Sequence, residues 1–496
     1  MRNPFNYRFG LPSPFYDNEV GSFTAFSPSA LFAANEPGVW FDPSDLTTLF
    51  QDPAGTTPVT TPGQTVGLML DKSRGGEQSL PTTGWTVNSG DGVVTIVDNV
   101  ITITGATTTT RVDINSPGWA IGDYAKITVN ASIGSAVGAA VYVGGGAVFG
   151  ISAGSRTYTA VISSSPLARL QISSGSATFT VTARSRTPGN HATQATTANR
   201  PNYGVVPATG RRNVYTQTEL FTNAAWLKLN SPTLTDQGGG VWRLQASAGS
   251  SILYQTIPAS GVHTIAFDVK SNGAGLDGFR FMLQGGYTGG DFVATSEWVR
   301  YSTSSTNGGS GAAGIASSST LNALDILIRF PQLELGTTAT AYQKVTNQYG
   351  VTEAGVTSCG YLFFDGVNDS MVTSTITPGT DKAQVFAGVR KLSDAGAGMV
   401  VESSAYAVSN NGAFLLAAAG SSAPTGWVFG DKGNTGYVEV GASSPAPVSN
   451  VLTAFGDISG DRTTLRFNGI QVAQSTGDLG SGNFLAYPLF IGARFG

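Results

Sequence analysis

Short runs of β-branched and aromatic residues, each closed by Gly, Ser, Asn or Asp, recur along most of this chain. Val93-Val-Thr-Ile-Val97, Val100-Ile-Thr-Ile-Thr104, Ala125-Lys-Ile-Thr-Val129, Ala168-Arg-Leu-Gln-Ile172 and Ala177-Thr-Phe-Thr-Val181 alternate with period two. Successive side chains of a strand point to opposite faces, so this pattern specifies half-buried strands. Many short strands divided by Gly and Ser turns build a sandwich or a barrel. Asp98-Asn99, between the first two runs, reads as a tight hairpin turn.

Composition agrees with an all-β chain. Charged residues make up 12%, about half the usual ~25%, and 65 of the 496 residues are Gly. Disorder goes with high net charge and few aromatics, and neither holds. The net charge is −4 without a Lys/Arg cluster, which argues against nucleic acid as a partner. The one cysteine, Cys359, precludes an intrachain disulfide and a four-thiolate zinc site. It is expected to be a small buried residue. No N-terminal apolar stretch of the signal-peptide kind and no run of ~20 apolar residues occurs. The chain is therefore expected to be made and folded in the cytoplasm, without membrane insertion.

Five segments follow in order. Residues 1–75 form an N-terminal segment, irregular over 1–36. Pro4, Pro12, Pro14 and Pro28 stand among Phe5, Tyr7, Phe9, Phe15, Tyr16, Phe23 and Phe26, more aromatic surface than so short a segment can cover by itself. Ser44 is expected to cap a short turn over 45–50, and Val66 to Leu70 to form one apolar strand. Asp42, Asp45 and Asp52, beside Pro and Ser, read as turn residues rather than metal ligands. Residues 76–187 form a first sandwich. Residues 188–211, polar and interrupted by Pro188, Pro201 and Pro207, read as an extended linker with 192–199 a solvated strap. Residues 212–345 repeat the first pattern, Phe221-Thr-Asn-Ala-Ala-Trp226 answering Gly84-Trp85. Two tandem copies of one module should align Trp85 with Trp226 and share their strand order. Residues 346–496 form a last sandwich. It opens with Tyr361-Leu-Phe-Phe-Asp-Gly-Val-Asn-Asp-Ser-Met371, a strand, a turn and a second strand, and holds an Asn468-Gly469 hairpin.

Three stretches carry a resemblance. Pro37-Gly-Val-Trp-Phe-Asp-Pro-Ser-Asp-Leu46 with Val66-Gly-Leu-Met-Leu-Asp-Lys-Ser73 resembles a leader of phage tail and prophage structural proteins. Asn223-Ala-Ala-Trp226, together with Gln332-Leu-Glu-Leu-Gly336 and Ala341-Tyr342, resembles the jelly-roll, carbohydrate-binding-module-like units of phage tail proteins. The Tyr361 to Met371 stretch resembles the opening of a laminin-G-like, concanavalin-type sandwich. The resemblance implies a virion protein of a tailed phage, a tail-fibre or tail-tip receptor-binding component. Residues 1–75 would attach it to other virion proteins, and the sandwiches would bind a host surface glycan without cleaving it. By analogy with tail fibres the chain would form a homo-oligomer, most simply a trimer. A polysaccharide depolymerase tailspike and a capsid decoration protein are the alternatives. Family members continue past the Ile-Gly-Ala-Arg strand into one that pairs with the opening strand. Here that strand is expected to come from elsewhere or to leave an open edge.

Chemistry is sparse. No zinc-protease or P-loop motif occurs, and His191 and His263 are the only histidines for a Ser-His-Asp triad. Glycoside cleavage needs two carboxylates ~5–10 Å apart. Asp365 with Asp369 and Glu334 with Asp325 are the pairs considered, and no catalytic residue is assigned. Sugars stack on exposed aromatics. Tyr287, in the glycine-flanked stretch 285–290, is the leading candidate, with Trp427 and Trp119 from the tryptophan stock. Asp365 and Asp369 are the candidate calcium ligands, because some laminin-G-like modules bind that ion. No other cofactor is expected.

Overall fold

A computed structural model describes residues 27–493, apart from 35, 115–116, 163, 248–250, 258–260, 306–310, 320–322 and 421. The aromatic cluster at residues 5–26 lies outside the described residues. Among the latter there is no α-helix, only three short 3-10 turns and 38 strands. The all-β expectation holds.

Two strands belong to the N-terminal segment, β1 (Leu49–Phe50) and β2 (Leu68–Met69). After β3 (Gln78–Leu80) the first sandwich has ten strands: β4 (Thr86–Ser89), β5 (Val93–Val97), β6 (Val100–Ala106), β7 (Thr110–Ile114), β8 (Tyr124–Ser132), β9 (Ala140–Val143), β10 (Ala147–Gly150), β11 (Gly154–Val161), β12 (Ala168–Ile172) and β13 (Gly175–Thr187). They form the sheets β10-β9-β12-β7-β4 and β11-β8-β13-β6-β5. Inward-facing Ile101, Ile103, Val112, Ile127, Val141, Leu170 and Phe179 fill the space between them.

The stretch read as a linker contains β14 (Ala192–Thr193) and β15 (Asn202–Pro207). The second sandwich then runs through β16 (Leu227–Leu229), β17 (Thr233–Gly238), β18 (Val241–Ala246), β19 (Ile252–Ile257), β20 (His263–Ser271), β21 (Gly278–Leu283), β22 (Gly286–Val293), β23 (Val299–Ser305), β24 (Gly311–Ser317) and β25 (Leu324–Leu335). Its sheets are β16-β19-β24-β21-β22 and β17-β18-β25-β20-β23. Counted from the first strand of each set, both sandwiches read 1-4-9-6-7 and 2-3-10-5-8. Trp85 and Trp226 each immediately precede strand 1, each is buried, and each indole N–H donates to a backbone carbonyl, of Thr82 and Gln217 respectively. Strand order and tryptophan placement thus match the expected duplication.

Past β25 the chain makes β26 (Gln343–Asn347), β27 (Gly350–Glu353), β28 (Ser358–Phe363), β29 (Met371–Thr373), β30 (Lys382–Lys391), β31 (Gly398–Ser403), β32 (Ala413–Gly420), β33 (Ala423–Lys432), β34 (Tyr437–Ser443), β35 (Val448–Asp457), β36 (Arg462–Phe467), β37 (Ile470–Ser475) and β38 (Leu489–Ile491). A four-stranded sheet β30-β35-β36-β37 faces part of a nine-stranded sheet β1-β2-β14-β29-β38-β31-β32-β33-β34.

That long sheet overturns one expectation. Residues 188–211 are not a solvated linker: β14 pairs with both β2 and β29, and β15 pairs with β28 and β27. Ala192 and Tyr203 are buried with Leu49, Val59, Val66, Met69 and Met371. The polar side chains that suggested solvation have partners inside the molecule. Gln194 Nε2 donates to the Ser370 carbonyl, and Arg200 donates to the carbonyls of Gln51, Gln194 and Ala195. The opening strand of the last sandwich, β28, takes its one neighbour, β15, from earlier in the chain and stands at the sheet edge on its other side, as the edge expectation allowed.

Asp71 locks this junction. Its buried carboxylate accepts from Trp40 N–H, Ser73 N–H, Ser73 O–H and Asn190 N–H. The Asp71 N–H donates to His191 Nδ1, and His191 Nε2 lies 3.0 Å from the Thr187 carbonyl. Burial pushes the His191 pKa down and keeps the ring neutral. Two local expectations also change. The short turn is capped by Asp45, whose side chain accepts from Thr47 N–H, while Ser44 Oγ accepts from Gly360 N–H. Cys359 is exposed, because β28 is an edge strand.

Candidate functional site

Trp119 and Trp427 are not ligand platforms. Trp427 is 1% exposed and packs with Phe414, Leu416, Phe429, Leu452 and Leu465. Phe429, two residues on, shares its inward face, as strand alternation requires. Trp119 is 5% exposed, donates its indole N–H to the Ser185 carbonyl and carries the Arg184 guanidinium over its ring.

Asp365 and Asp369 clamp a turn. Asp365 Oδ1 accepts from the N–H groups of Val367, Asn368 and Asp369, and Asp369 Oδ2 accepts from Asp365 N–H. The Val367 N–H foremost holds the Asp365 carboxyl below its usual range, whereas burial raises that of Asp369. Calcium takes six to eight oxygen ligands. Among the described residues no group of three or more His, Cys, Asp or Glu is placed to hold a metal. Glu334 and Asp325 lie on one strand, β25, nine residues apart, about 30 Å at strand rise, too far to flank one glycosidic bond. Glu334 accepts from the N–H and hydroxyl of Thr340, and Asp325 holds Arg243. Gly150-Ile-Ser-Ala-Gly154 spells a nucleophile-elbow pattern, but strands stand on both sides of it, without the helix that such an elbow opens.

Tyr287 is 45% exposed and does not sit at a loop tip. The hairpin turns at Gln284-Gly285, both with positive φ, so Tyr287 is the second residue of edge strand β22. The inner face of its sheet carries Leu253, Phe279, Phe281 and Ile315. On the outer face a cross-strand row runs Leu227, Tyr254, Gly314, Met282, Tyr287. Ile252, Ala316, Arg280 and Asp291 form the next row.

Two features shape this face. The middle strand, β24, turns only Ala312, Gly314 and Ala316 outward, so its floor is low. A Cβ at Gly314 would sit 2.7 Å from the Tyr254 Cβ and 2.0 Å from the Leu253 carbonyl oxygen, so only glycine admits this approach. On the far side the Arg280 guanidinium lies 3.4 Å from the centre of the Tyr287 ring, a cation–π stack that orients both groups. Asp291, beside them, accepts from the Ser319 N–H and hydroxyl, and the latter most strongly holds its carboxyl down and ionised. Rings of Phe279, Phe281, Phe292 and Tyr301 packed edge-on and stacked form a stiff base beneath.

Tyr254 and Tyr287 stand three strand spacings apart, about 14 Å. Aromatic rings, a thioether and guanidinium donors on one sheet face, Tyr287 exposed and Tyr254, Met282 and Arg280 half-buried, can hold the apolar face of a sugar ring and its hydroxyls together. Sequence reasoning found Tyr287 and missed Tyr254, Arg280 and Met282. Their one local signal is Gly311-Ala-Ala-Gly-Ile-Ala-Ser317, whose outward positions are all small.

No family model matches the chain, and no curated protein matches it. Solved structures do match. Among them is the N-terminal CBM22-1–CBM22-2 tandem domain of Xyn10C from Paenibacillus barcinonensis, 11% identical over 53% of this chain and 90% of that one, with a TM-score of 0.19.

Proposed function

We propose that this chain is a glycan-binding structural protein of a tailed-phage virion, a tail-fibre or tail-tip component that holds a host surface saccharide without cleaving it. The outer face of β16-β19-β24-β21-β22 carries the reading. It sets Tyr254, Met282 and the Arg280–Tyr287 stack around a low floor on a rigid sheet. Buried aromatic contact supplies affinity and the guanidinium supplies direction. The tail assignment rests on the resemblance of residues 37–46, 66–73 and 361–371 to phage tail proteins.

The test is binding of the intact chain to immobilised neutral bacterial-surface oligosaccharides, with saccharide length followed by size exclusion. Binding with unchanged length, weakened about tenfold or more by Tyr287→Ala, is the expected result. Binding indifferent to Tyr287→Ala removes this face from the function. Shortened saccharide moves the chain to the depolymerase class.

A further inference from the structure

The same five strands of the first sandwich, β10-β9-β12-β7-β4, turn a different chemistry outward. Where β24 offers Gly314 and Ala316, the equivalent strand β12 offers Arg169 and Gln171, each half-buried. Arg169 stands in register between Asp113 and Tyr142. Its Nε and Nη2 donate to the two Asp113 oxygens at 2.7 and 2.8 Å, and Asn88 Nδ2 donates to Asp113 Oδ2 at 2.8 Å. Asp113 is almost fully buried beneath this pair, so the charges of Arg169 and Asp113 cancel. The Tyr142 ring lies 5.4 Å from the Arg169 guanidinium.

The next row is not closed. Gln171 stands directly opposite Arg111, with Ala140 on its other side. Among the described residues Arg111 has no carboxylate within ion-pair distance. Its Nε and the Gln171 Oε1 are withdrawn from solvent with no hydrogen-bond partner. Buried polar atoms left unpaired are rare because they cost folding free energy, and each calls for a cause. Here they belong to cross-strand neighbours, one donor and one acceptor, in a row with one uncompensated positive charge and beside the row that carries Tyr142.

We propose that this face is a second ligand site, taking an acidic saccharide. The singly charged group, a carboxylate or a phosphodiester, is held by the terminal nitrogens of the Arg111 guanidinium, and a sugar ring lies along Tyr142. A guanidinium fork matches the paired oxygens of either anion. The inference rests on the reading of the chain as a glycan binder but uses none of the residues of the Tyr287 face. Two copies of one architecture would then read one neutral and one anionic feature of a surface polymer, and joining them multiplies avidity.

The experiment titrates the intact chain with oligogalacturonate, with its fully methyl-esterified form and with a glycerol-phosphate oligomer, at low and high salt. Binding of an acidic probe, absent for the ester and weakened by salt, is expected. Arg111→Met should weaken it about tenfold or more, and Arg111→Lys, which keeps the charge, should restore part of it. The two acidic probes separate carboxylate from phosphodiester. No binding of either acidic probe, or binding that is independent of salt and unchanged in Arg111→Met, overturns the proposal. Should Arg111→Met fail to fold, the salt dependence and Arg111→Lys decide. Neutral binding lost in Tyr287→Ala without any acidic binding sinks this site and keeps the first. Acidic binding lost in Arg111→Met and kept in Tyr287→Ala, with no neutral binding, does the reverse.

Discussion

Tyr287 and Trp427 are both large aromatics on strands, and backbone parity decides what each does. Trp427 shares the inward face of β33 with Phe429, whereas Tyr287 points out from an edge strand. Trp427→Ala is expected to cost about 3–5 kcal/mol in denaturant unfolding, by leaving a large cavity. Tyr287→Ala should stay within about 0.5 kcal/mol of the parent. The Trp427-Val-Phe429 alternation carried the signal for the core role, which the reading of Trp427 as a sugar platform passed over. The neighbours of Tyr287 were not legible, because Tyr254 and Gly314 reach it only through a register set by long-range pairing. Asp431 is the residue with the clearest pH consequence. It is buried with Oδ1 accepting from the Thr463 hydroxyl and Oδ2 unpartnered, and burial pushes its carboxyl up to about 7. An unfolded Asp titrates near 3.9. The raised folded value means that Asp431 supports the fold fully below about pH 4. That support is lost as pH rises towards 7, by at most about 1.4 kcal/mol per pH unit. Urea melts from pH 4 to 7 should show this decline, and Asp431→Asn should flatten it. An unchanged slope in the variant would assign the decline to other groups.

At the level of elements, legibility follows how local the cause is. The Asp98-Asn99 and Asn468-Gly469 hairpins were readable because turn residues dictate them, and Asp98, Asn468 and Gly469 do take positive φ. The two-residue strands β1 and β14 were not, since nothing in a pair of residues announces a strand before its partners are known, whereas β2 was, as the middle of the apolar run Val66 to Leu70. Residues 188–211 looked like a linker for the same reason: their polar side chains bond to backbone far away in sequence. Asp71 shows what holds such short strands. Its carboxylate joins the 38–73 segment to Asn190, so Asp71→Ala strands several buried donors. A loss of about 2–3 kcal/mol is expected in chemical denaturation. A neutral result would mean that water satisfies those donors.

For the whole molecule, the nine-stranded sheet ties the N-terminal segment, the stretch between the first two sandwiches and the last sandwich into one unit. Limited proteolysis of the native chain is therefore expected to spare 188–211. Rapid cutting there, with release of separate sandwiches, would restore the linker. That the two middle sandwiches share one strand order could be anticipated from their tryptophans and repeated runs. The long sheet could not, because each of its joints spans a large part of the chain. This has a consequence for biosynthesis. Thr193 bonds to Val372, 179 residues further on. At a synthesis rate of about 5–20 residues per second, β14 waits roughly 10–35 s for its partner to leave the ribosome. Until then the growing polypeptide presents a pairing edge and the apolar side chains of Leu49, Val66 and Met69. That interval, rather than any property of the folded protein, is when the nascent chain most needs a chaperone.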